Sequence, residues 1–351
     1  MKYSFSSVKL GLLILLASLI GCSNASSPNT GLLEHHTETG FRNSPEVEPA
    51  SSKGALFVLR RIWGSAFHPD IPAGHILPEE EAVKNLAELD HGNVLTWLGH
   101  STFLIRLDGK TIMTDPFLTN RASPISFVGG ITRYAPPGIT IQNLPPIDII
   151  IVSHNHYDHL DRHTICALPN KENIHVAVPL GLQEIFINCG YEKVKELDWG
   201  SSANVGDIKL TALPAAHDSG RSLFDKDKTL WSSWAISADS TNFFFSGDTG
   251  YSPVFKEIGK EYGPFDLAIL PIGAYEPREL MWMSHITPEE AVKVGQDIKA
   301  NILVGGHWGT IELSEEPQWE PPARFVNAAN AAGKNQESVW VMKIGESRAI
   351  P

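Results

Sequence analysis

One segment, residues 153–161, constrains this chain more than any other, because it reads Ser-His-Asn-His-Tyr-Asp-His-Leu-Asp. It follows residues 147–152, a short β-branched apolar run that comes after Pro145-Pro146 and predicts a buried strand. α/β folds place ligand-binding side chains at the carboxyl ends of such strands. Imidazole and carboxylate donors without a thiolate suit Zn²⁺ or another first-row metal. The candidate metal ligands in the segment are His154, His156, Asp158 and His159.

The amino terminus predicts export and lipid attachment. Lys2 and Lys9 precede residues 10–20, an apolar run that is too short to span a bilayer and is typical of a signal peptide. That run ends in Leu-Ile-Gly before Cys22 and resembles a bacterial lipobox. The resemblance implies removal of residues 1–21, lipid on Cys22, and a place in the cell envelope, in the outer membrane if the cell is Gram-negative. An ordinary secretory signal with an incidental Cys22 is the alternative.

Composition divides the rest of the chain into a tether and a domain. Residues 22–53 are rich in Ser, Asn, Thr, Pro and Glu, which predicts a flexible tether with a reach on the order of 30 Å. We assign no function to His35 and His36 within it. Residues 54–351 are expected to form the folded domain, since 42% of the chain is apolar and 19% charged. Residues 54–78 either pack in the core or form an apolar lip beside the site.

Net charge limits the binding partners of this chain, and its cysteines indicate their redox state. Removing the signal peptide with its two lysines takes the formal charge from −12 to −14, which disfavours nucleic acid as a partner. Cys166 and Cys189 remain in an oxidising compartment, where they could pair. Their spacing is not that of a metal site, and we expect buried free thiols.

The hydrophobic pattern predicts two groups of strands, each supplied with helices. The predicted strands are residues 94–98, 102–107, 110–114, 147–152, 208–212, 233–238, 242–245, 267–270, 302–304 and 339–344. The predicted helices are residues 78–89, 163–168, 180–188, 288–298 and 323–332. Thr287, Pro288 and Glu290 form a capping-box pattern before the fourth helix. Two strand-rich halves predict an α/β fold with two sheets stacked face to face and covered by helices on both sides.

Three further candidate ligands follow predicted strands in the second half. His217 comes after residues 208–212, Asp248 after residues 242–245, and His307 after residues 302–304. Each has glycine or alanine beside it, as expected where the backbone must approach a site closely.

The complete set resembles the metallo-β-lactamase superfamily, in which His-x-His-x-Asp-His is followed by a separate His, a Gly-Asp and a Gly-His. The resemblance implies an αββα sandwich of two stacked mixed sheets and two Zn²⁺ ions that share a hydroxide. It assigns His154, His156 and His217 to the first metal. It assigns Asp158, His159 and His307 to the second metal, and Asp248 as a bridge between the two.

A closer resemblance is to N-acylphosphatidylethanolamine-hydrolysing phospholipase D. It rests on Trp-Leu-Gly-His-Ser-Thr at residues 97–102, Gly-Asp-Thr-Gly-Tyr at 247–251 and His-Trp-Gly-Thr at 307–310, besides the histidine segment. It implies a lipid phosphodiester substrate, with Asp158 orienting the attacking hydroxide and His285 at the substrate phosphate. His100 and Asp115 are expected behind the ligands, where a carboxylate accepts the spare N–H of an imidazole. The sequence departs from the family at Asp218, where an aromatic residue is expected.

Two other functions remain open on the sequence alone. One is a lactonase or esterase that acts on a small phosphorylated metabolite, which differs from the phospholipase in lacking an apolar groove. The other is a non-catalytic metal-binding scaffold of the envelope. An antibiotic-hydrolysing β-lactamase is disfavoured by the form of the segment around His159, and a nuclease by the acidic charge.

Overall fold

Strands from both halves of the chain form the frame of the structure, a computed structural model that describes residues 33–46, 69–89, 91–125, 129–222, 224–239 and 241–351. The first eight are β1 (Val94–Gly99), β2 (Thr102–Leu107), β3 (Lys110–Thr114), β4 (Arg121–Ala122), β5 (Ile131–Thr132), β6 (Ile149–Ile151), β7 (His175–Pro179) and β8 (Lys193–Leu197). The others are β9 (Ser202–Val205), β10 (Ile208–Leu213), β11 (Ser233–Ala238), β12 (Thr241–Phe245), β13 (Phe265–Pro271), β14 (Ala300–Gly306), β15 (Val339–Trp340) and β16 (Ser347–Ala349).

These strands pair into two mixed sheets of seven strands each, and β4 and β5 form a small separate ribbon. The first sheet has the order β16-β1-β2-β3-β6-β7-β8, and it is antiparallel up to β3 and parallel from there on. The second sheet has the order β15-β14-β13-β12-β11-β10-β9. It is antiparallel from β9 to β12 and parallel from β12 to β15. The predicted fold class is confirmed.

The main core lies between the two sheets. Trp97 and Ile151 of the first sheet and Trp234 and Phe243 of the second share one buried apolar cluster. Neighbouring positions on the same strands, such as Ile150 beside Ile151, point to the opposite face and pack in a second cluster under the helices. A strand buried on both faces needs apolar side chains at consecutive positions, which explains the continuous run from which β6 was predicted.

The helices cover the outer faces of the sheets. They are α1 (Glu79–Glu88), α2 (Arg162–Ala167), α3 (Gln183–Ile187), α4 (Val254–Glu261), α5 (Arg278–Met281), α6 (Pro288–Asp297) and α7 (Pro321–Ala331), with 3₁₀ turns at Ile141–Asn143 and Gln336–Ser338. The capping box is confirmed at α6, where Thr287 Oγ1 accepts from the Glu290 N–H at 3.2 Å. Glu290 Oε2 in turn accepts from the Thr287 N–H at 2.9 Å. None of the helices in the described ranges is both long and apolar enough to cross a membrane.

The carboxyl-terminal strand differs from its prediction. Residues 339–344 were predicted as one strand, but β15 ends at Trp340 and the chain turns at Gly345, whose φ of +88° favours glycine. The chain then continues as β16, which pairs with β1 at the edge of the other sheet. The prediction was wrong because the apolar residues Met342 and Ile344 are buried as core side chains without belonging to a strand.

The two cysteines of the domain form a disulfide, so the prediction of free thiols was wrong. Cys166 lies in α2 and Cys189 follows α3, and their Cα atoms are 4.8 Å apart. The Tyr191 hydroxyl donates to the carbonyl of Ile165 at 2.8 Å, which ties the end of α3 to α2. Packing between two helix ends, which spacing in the sequence does not reveal, brings the sulfurs together.

Part of the predicted tether belongs to the folded unit, which begins at Glu34. We call residues 34–46 the N-terminal strap. His35 and His36 contact Asp198 at the end of β8, and the Phe41 N–H donates to the Asp227 carbonyl at 2.8 Å. The tether prediction is therefore wrong for these residues, because their polar side chains find partners on the domain.

Several other sequence predictions fall outside the described residues. These are the signal peptide, the lipid-attachment residue Cys22, the remaining tether residues 22–32 and 47–53, and the first part of the possible apolar lip, residues 54–68. They stay predictions.

Candidate metal centre

The predicted ligands converge because five strands of the two sheets end at the same edge of the sandwich. β6 leads into the histidine segment, β3 into Asp115, β10 towards His217, β12 towards Asp248, and β14 into His307. The backbone there is tightly packed: Gly247 has a φ of +58°, and a Cβ at this position would overlap the side chain of Ser153. His100, Asp115 and His307 also have positive φ, a strained conformation that persists where the surrounding structure imposes it.

One group of donors consists of three imidazoles. The His154 Nε2 atom is 2.8 Å from His156 Nδ1 and 3.1 Å from His217 Nε2, and His217 Nε2 is 3.3 Å from His156 Nδ1. Nitrogens bound to one tetrahedral zinc ion lie about 3.3 Å apart, given Zn–N bonds of about 2.0–2.1 Å. Burial lowers the pKa of His217 to about 4 and that of His154 well below its usual value, so both present lone pairs at neutral pH.

A second group lies deeper and contains carboxylates. His159 Nε2 and His307 Nε2 are each 3.0 Å from Asp248 Oδ2, and they lie 3.4 and 3.7 Å from Asp158 Oδ2. These two imidazole nitrogens and Asp248 Oδ1 are buried, and none of the three has a hydrogen-bond partner among the described residues. Unpaired buried polar atoms are costly, and a metal ion would satisfy all three.

Asp248 lies between the two groups. One of its carboxylate oxygens lies within 4.8 Å of a ring nitrogen of both His154 and His159, and the same holds for His285 and His307. Burial would raise the pKa of this carboxyl, but the charges of His159 and His307 outweigh burial and hold the pKa well below its usual value. The carboxyl group of Asp248 is therefore ionised.

The deep group carries excess negative charge. Burial would lower the pKa of His159, yet the charges of Asp248, Asp158 and Asp115 raise it well above its usual value. The pKa of His307 is likewise raised to about 9, because Asp248 and Asp158 outweigh its burial. A pocket that draws protons onto two histidines is one in which a metal cation would balance the charge. Imidazole and carboxylate donors without sulfur fit zinc or a similar first-row metal.

Asp115 lies behind His159, one of the proposed ligands, and contacts its imidazole ring. Its Oδ2 atom accepts from His159 Nδ1 at 2.6 Å, and its two oxygens also accept from the N–H and hydroxyl of Ser153. Because Nδ1 is held by Asp115, His159 presents its Nε2 atom to the site, where a metal ion would replace the Nε2 proton. His100 lies closer to the centre than we expected, since its Nε2 atom is 2.9 Å from Asp158 Oδ2.

His285 also reaches the site. Its Nδ1 atom is 3.8 Å from Asp248 Oδ2, and its ring centroid is 5.4 Å from that of His307 and 5.5 Å from that of His217. It lies two residues before Thr287, the N-cap of α6, and its Nδ1 atom has no hydrogen-bond partner within the described ranges. The open side of the centre is at His156 and Asp218, whose side chains are 32% and 41% exposed.

Two residues that support the ligands were missed by the sequence analysis. The Asn43 amide pairs with the backbone of His217: Oδ1 accepts its N–H at 3.0 Å and Nδ2 donates to its carbonyl at 2.9 Å. Arg221 donates to the carbonyls of Asn155 and Leu160, both at 2.7 Å. These two bonds connect the beginning and the end of the histidine segment. The only signal for Asn43 is Phe41 and Arg42 before it, an aromatic and a basic residue in a polar stretch.

Comparison with known proteins agrees with this geometry. Residues 110–308 match the family model of the beta-lactamase superfamily domain. N-acyl-phosphatidylethanolamine-hydrolyzing phospholipase D 1 of Caenorhabditis elegans is 39% identical over 285 residues, which are 77% of this chain and 80% of the relative. The outer membrane protein RomA of Klebsiella pneumoniae is 36% identical over 123 residues, 33% of this chain and 91% of RomA.

A solved structure shows the same fold. Igni18, described as a novel metallo hydrolase from Ignicoccus hospitalis, has a TM-score of 0.54 at 23% identity and covers 73% of this chain and 97% of its own. The family match spans more than half of the chain. The chain belongs to the beta-lactamase superfamily and is a metal-dependent hydrolase with the metallo-β-lactamase fold.

Proposed function

We propose that this hydrolase is a dinuclear zinc phosphodiesterase of the phospholipase D type, which acts on N-acylphosphatidylethanolamine or a similar lipid phosphodiester. The observation that carries the proposal is the pair of donor groups that meet at Asp248. His154, His156 and His217 would hold one ion. Asp158, His159 and His307 would hold the other, and Asp248 would contact both. When bound, such ions lower the pKa of water and neutralise charge on a reacting phosphoryl group.

Asp158 is proposed to orient the attacking water as well as to bind metal. Burial would raise the pKa of its carboxyl, but the charge of His159 and the hydrogen bond from His100 outweigh burial and lower the pKa well below its usual value. His100 is neutral, since burial lowers its pKa to about 3, and it can donate its Nε2–H to Asp158. This contact fixes the direction in which the carboxylate faces.

His285 is proposed to bind the substrate phosphate. It stands beside Asp248 at the amino-terminal end of α6, where the helix dipole favours an anion. Outside the seven proposed ligands, it is free to donate a hydrogen bond to a phosphoryl oxygen or to the leaving alkoxide.

A lipid rather than a soluble metabolite is favoured by two observations. The relative from C. elegans, 39% identical over most of both chains, is named for hydrolysis of N-acylphosphatidylethanolamine. Two large apolar side chains are also exposed on segments that carry site residues: Trp282, three residues before His285, is 43% exposed, and Phe224, in the loop after Asp218, is 84% exposed. Both side chains are near site residues in the sequence and are available to contact acyl chains or a membrane.

The substrate is tested by turnover of N-acylphosphatidylethanolamine in mixed micelles beside an acyl lactone and bis(p-nitrophenyl) phosphate. We expect kcat/KM for the lipid to exceed that for the other two by at least about tenfold, because binding of the acyl chains adds to transition-state stabilisation. Faster turnover of the lactone would support the lactonase instead. Zinc-loaded protein that hydrolyses none of the three would contradict the phospholipase proposal.

The role of His285 is tested with His285→Ala. We expect this variant to keep its metal content and its fold while kcat falls on the order of 10²-fold, which is the usual cost of losing one transition-state hydrogen bond. Metal analysis and steady-state kinetics on the same preparation measure both effects. His217→Ala is the matched comparison, since it removes a neighbouring imidazole that we assign to a metal and should lose metal as well as activity. Loss of metal in His285→Ala would show that His285 is itself a ligand.

We further propose that the enzyme is anchored in the bacterial envelope by lipid on Cys22. Support comes from the lipobox-like sequence before Cys22 and from the similarity of one third of the chain to RomA, which is named an outer membrane protein. Cys22→Ala should therefore move the protein out of the detergent-soluble membrane fraction or leave the signal peptide uncleaved. Immunoblots of fractionated cells measure this change. Identical fractionation and processing of both forms would mean that the protein is secreted without an anchor.

A further inference from the structure

A second cluster of metal-ligating side chains lies apart from the catalytic centre. It joins His35 and His36 of the N-terminal strap to Asp198, which directly follows β8. His35 Nε2 is 2.6 Å from Asp198 Oδ1, and His36 Nε2 is 2.8 Å from Asp198 Oδ2. Two imidazole nitrogens from consecutive residues thus face one carboxylate that lies more than 160 positions away in the sequence.

The three side chains are held in place by their surroundings. The ring of His35 stacks on Trp199 with centroids 4.2 Å apart, and His36 packs edge-on against Phe41 at 5.1 Å. The Trp199 N–H donates to Asp198 Oδ1 at 2.8 Å, which orients the carboxylate. Exposure of the side chains is 8% for His35, 23% for His36 and 20% for Asp198, so the cluster is largely buried yet reachable by a small ion.

The charge of the cluster favours a cation. Asp198 is an acidic residue, and its two carboxyl oxygens each lie within hydrogen-bond distance of one imidazole nitrogen. Within the described part of the chain, its ion-pair partners are these two histidines and no lysine or arginine. A divalent ion would add positive charge beside this carboxylate.

We propose that His35, His36 and Asp198 bind one zinc ion, at a site distinct from the catalytic centre, with water in the remaining position. Two imidazoles and a carboxylate are a common donor set for zinc. The ion would fasten the N-terminal strap to the end of β8. The strap continues to Asn43, whose amide pairs with the backbone of His217 and also accepts from Trp231 Nε1 at 3.1 Å. The zinc ion at His35, His36 and Asp198 therefore has a structural role, because the strap that it fastens also supports His217.

The test is the zinc content of the full-length protein after equilibration with a small excess of zinc and gel filtration. Asp198→Asn and His36→Gln should each bind one equivalent of zinc fewer than the wild type, while circular dichroism shows an unchanged fold. Both replacements keep a side chain that can form hydrogen bonds. If the strap is attached by hydrogen bonds alone, part of that attachment should remain in each variant. His175→Gln, at the start of β7 outside both clusters, is the matched control and should keep the wild-type zinc content.

The difference in zinc content between the wild type and the variants tests this site independently of how many ions the catalytic centre holds. If the centre holds two ions, we expect three equivalents in the wild type and two in Asp198→Asn. If the centre holds one, the same variant should change the count from two to one. Equal zinc content in the wild type, Asp198→Asn and His36→Gln would overturn the third site and show that the strap is held by hydrogen bonds alone.

Discussion

Buried negative charge at the junction of the two sheets is the constraint on which the rest of the structure depends. The Asp115 and Asp248 side chains are 0% and 2% exposed, and a carboxylate so far from water is costly unless opposite charge and hydrogen bonds surround it. His159 supplies both, because its Nδ1 atom bonds to Asp115 while its Nε2 atom faces Asp248. The ends of three strands, β3, β6 and β12, hold these groups together, and bound metal ions would complete the balance of charge.

Much of this arrangement could be predicted from the sequence, since it depends on local patterns. β6 and most of β1 and β2 are apolar at consecutive positions, because both faces of these strands are buried. The turn between β2 and β3 follows from Asp108 and Gly109, both of which have the positive φ that such a hairpin requires. Residues that directly follow strands meet at one edge only where those strands run parallel, as β3 and β6 do in one sheet and β12, β13 and β14 in the other. The seven proposed ligands were named as candidates without knowledge of this strand order.

Several features that escaped prediction depend on contacts between distant residues. Asn43 supports His217 across 174 positions, and an amide in a polar stretch has no pattern that identifies it. The disulfide depends on how two helix ends pack, which spacing does not show. β8 was missed because it is an edge strand whose Lys193, Lys195 and Glu196 give it a charged, half-exposed sequence. The N-terminal strap was missed for both reasons. Its composition resembles that of a free linker, and its side chains contact residues of the domain that are distant in the sequence.

The central claim, attack of water on phosphorus at the histidine and aspartate centre, is tested most directly by isotope labelling. Hydrolysis of N-acylphosphatidylethanolamine in H₂¹⁸O, followed by mass spectrometry of the products, locates the bond that is cleaved. Our account predicts one ¹⁸O atom in the phosphate of phosphatidic acid and none in the N-acylethanolamine. Label in a released fatty acid would instead mean hydrolysis of an acyl ester and would contradict a phosphodiesterase.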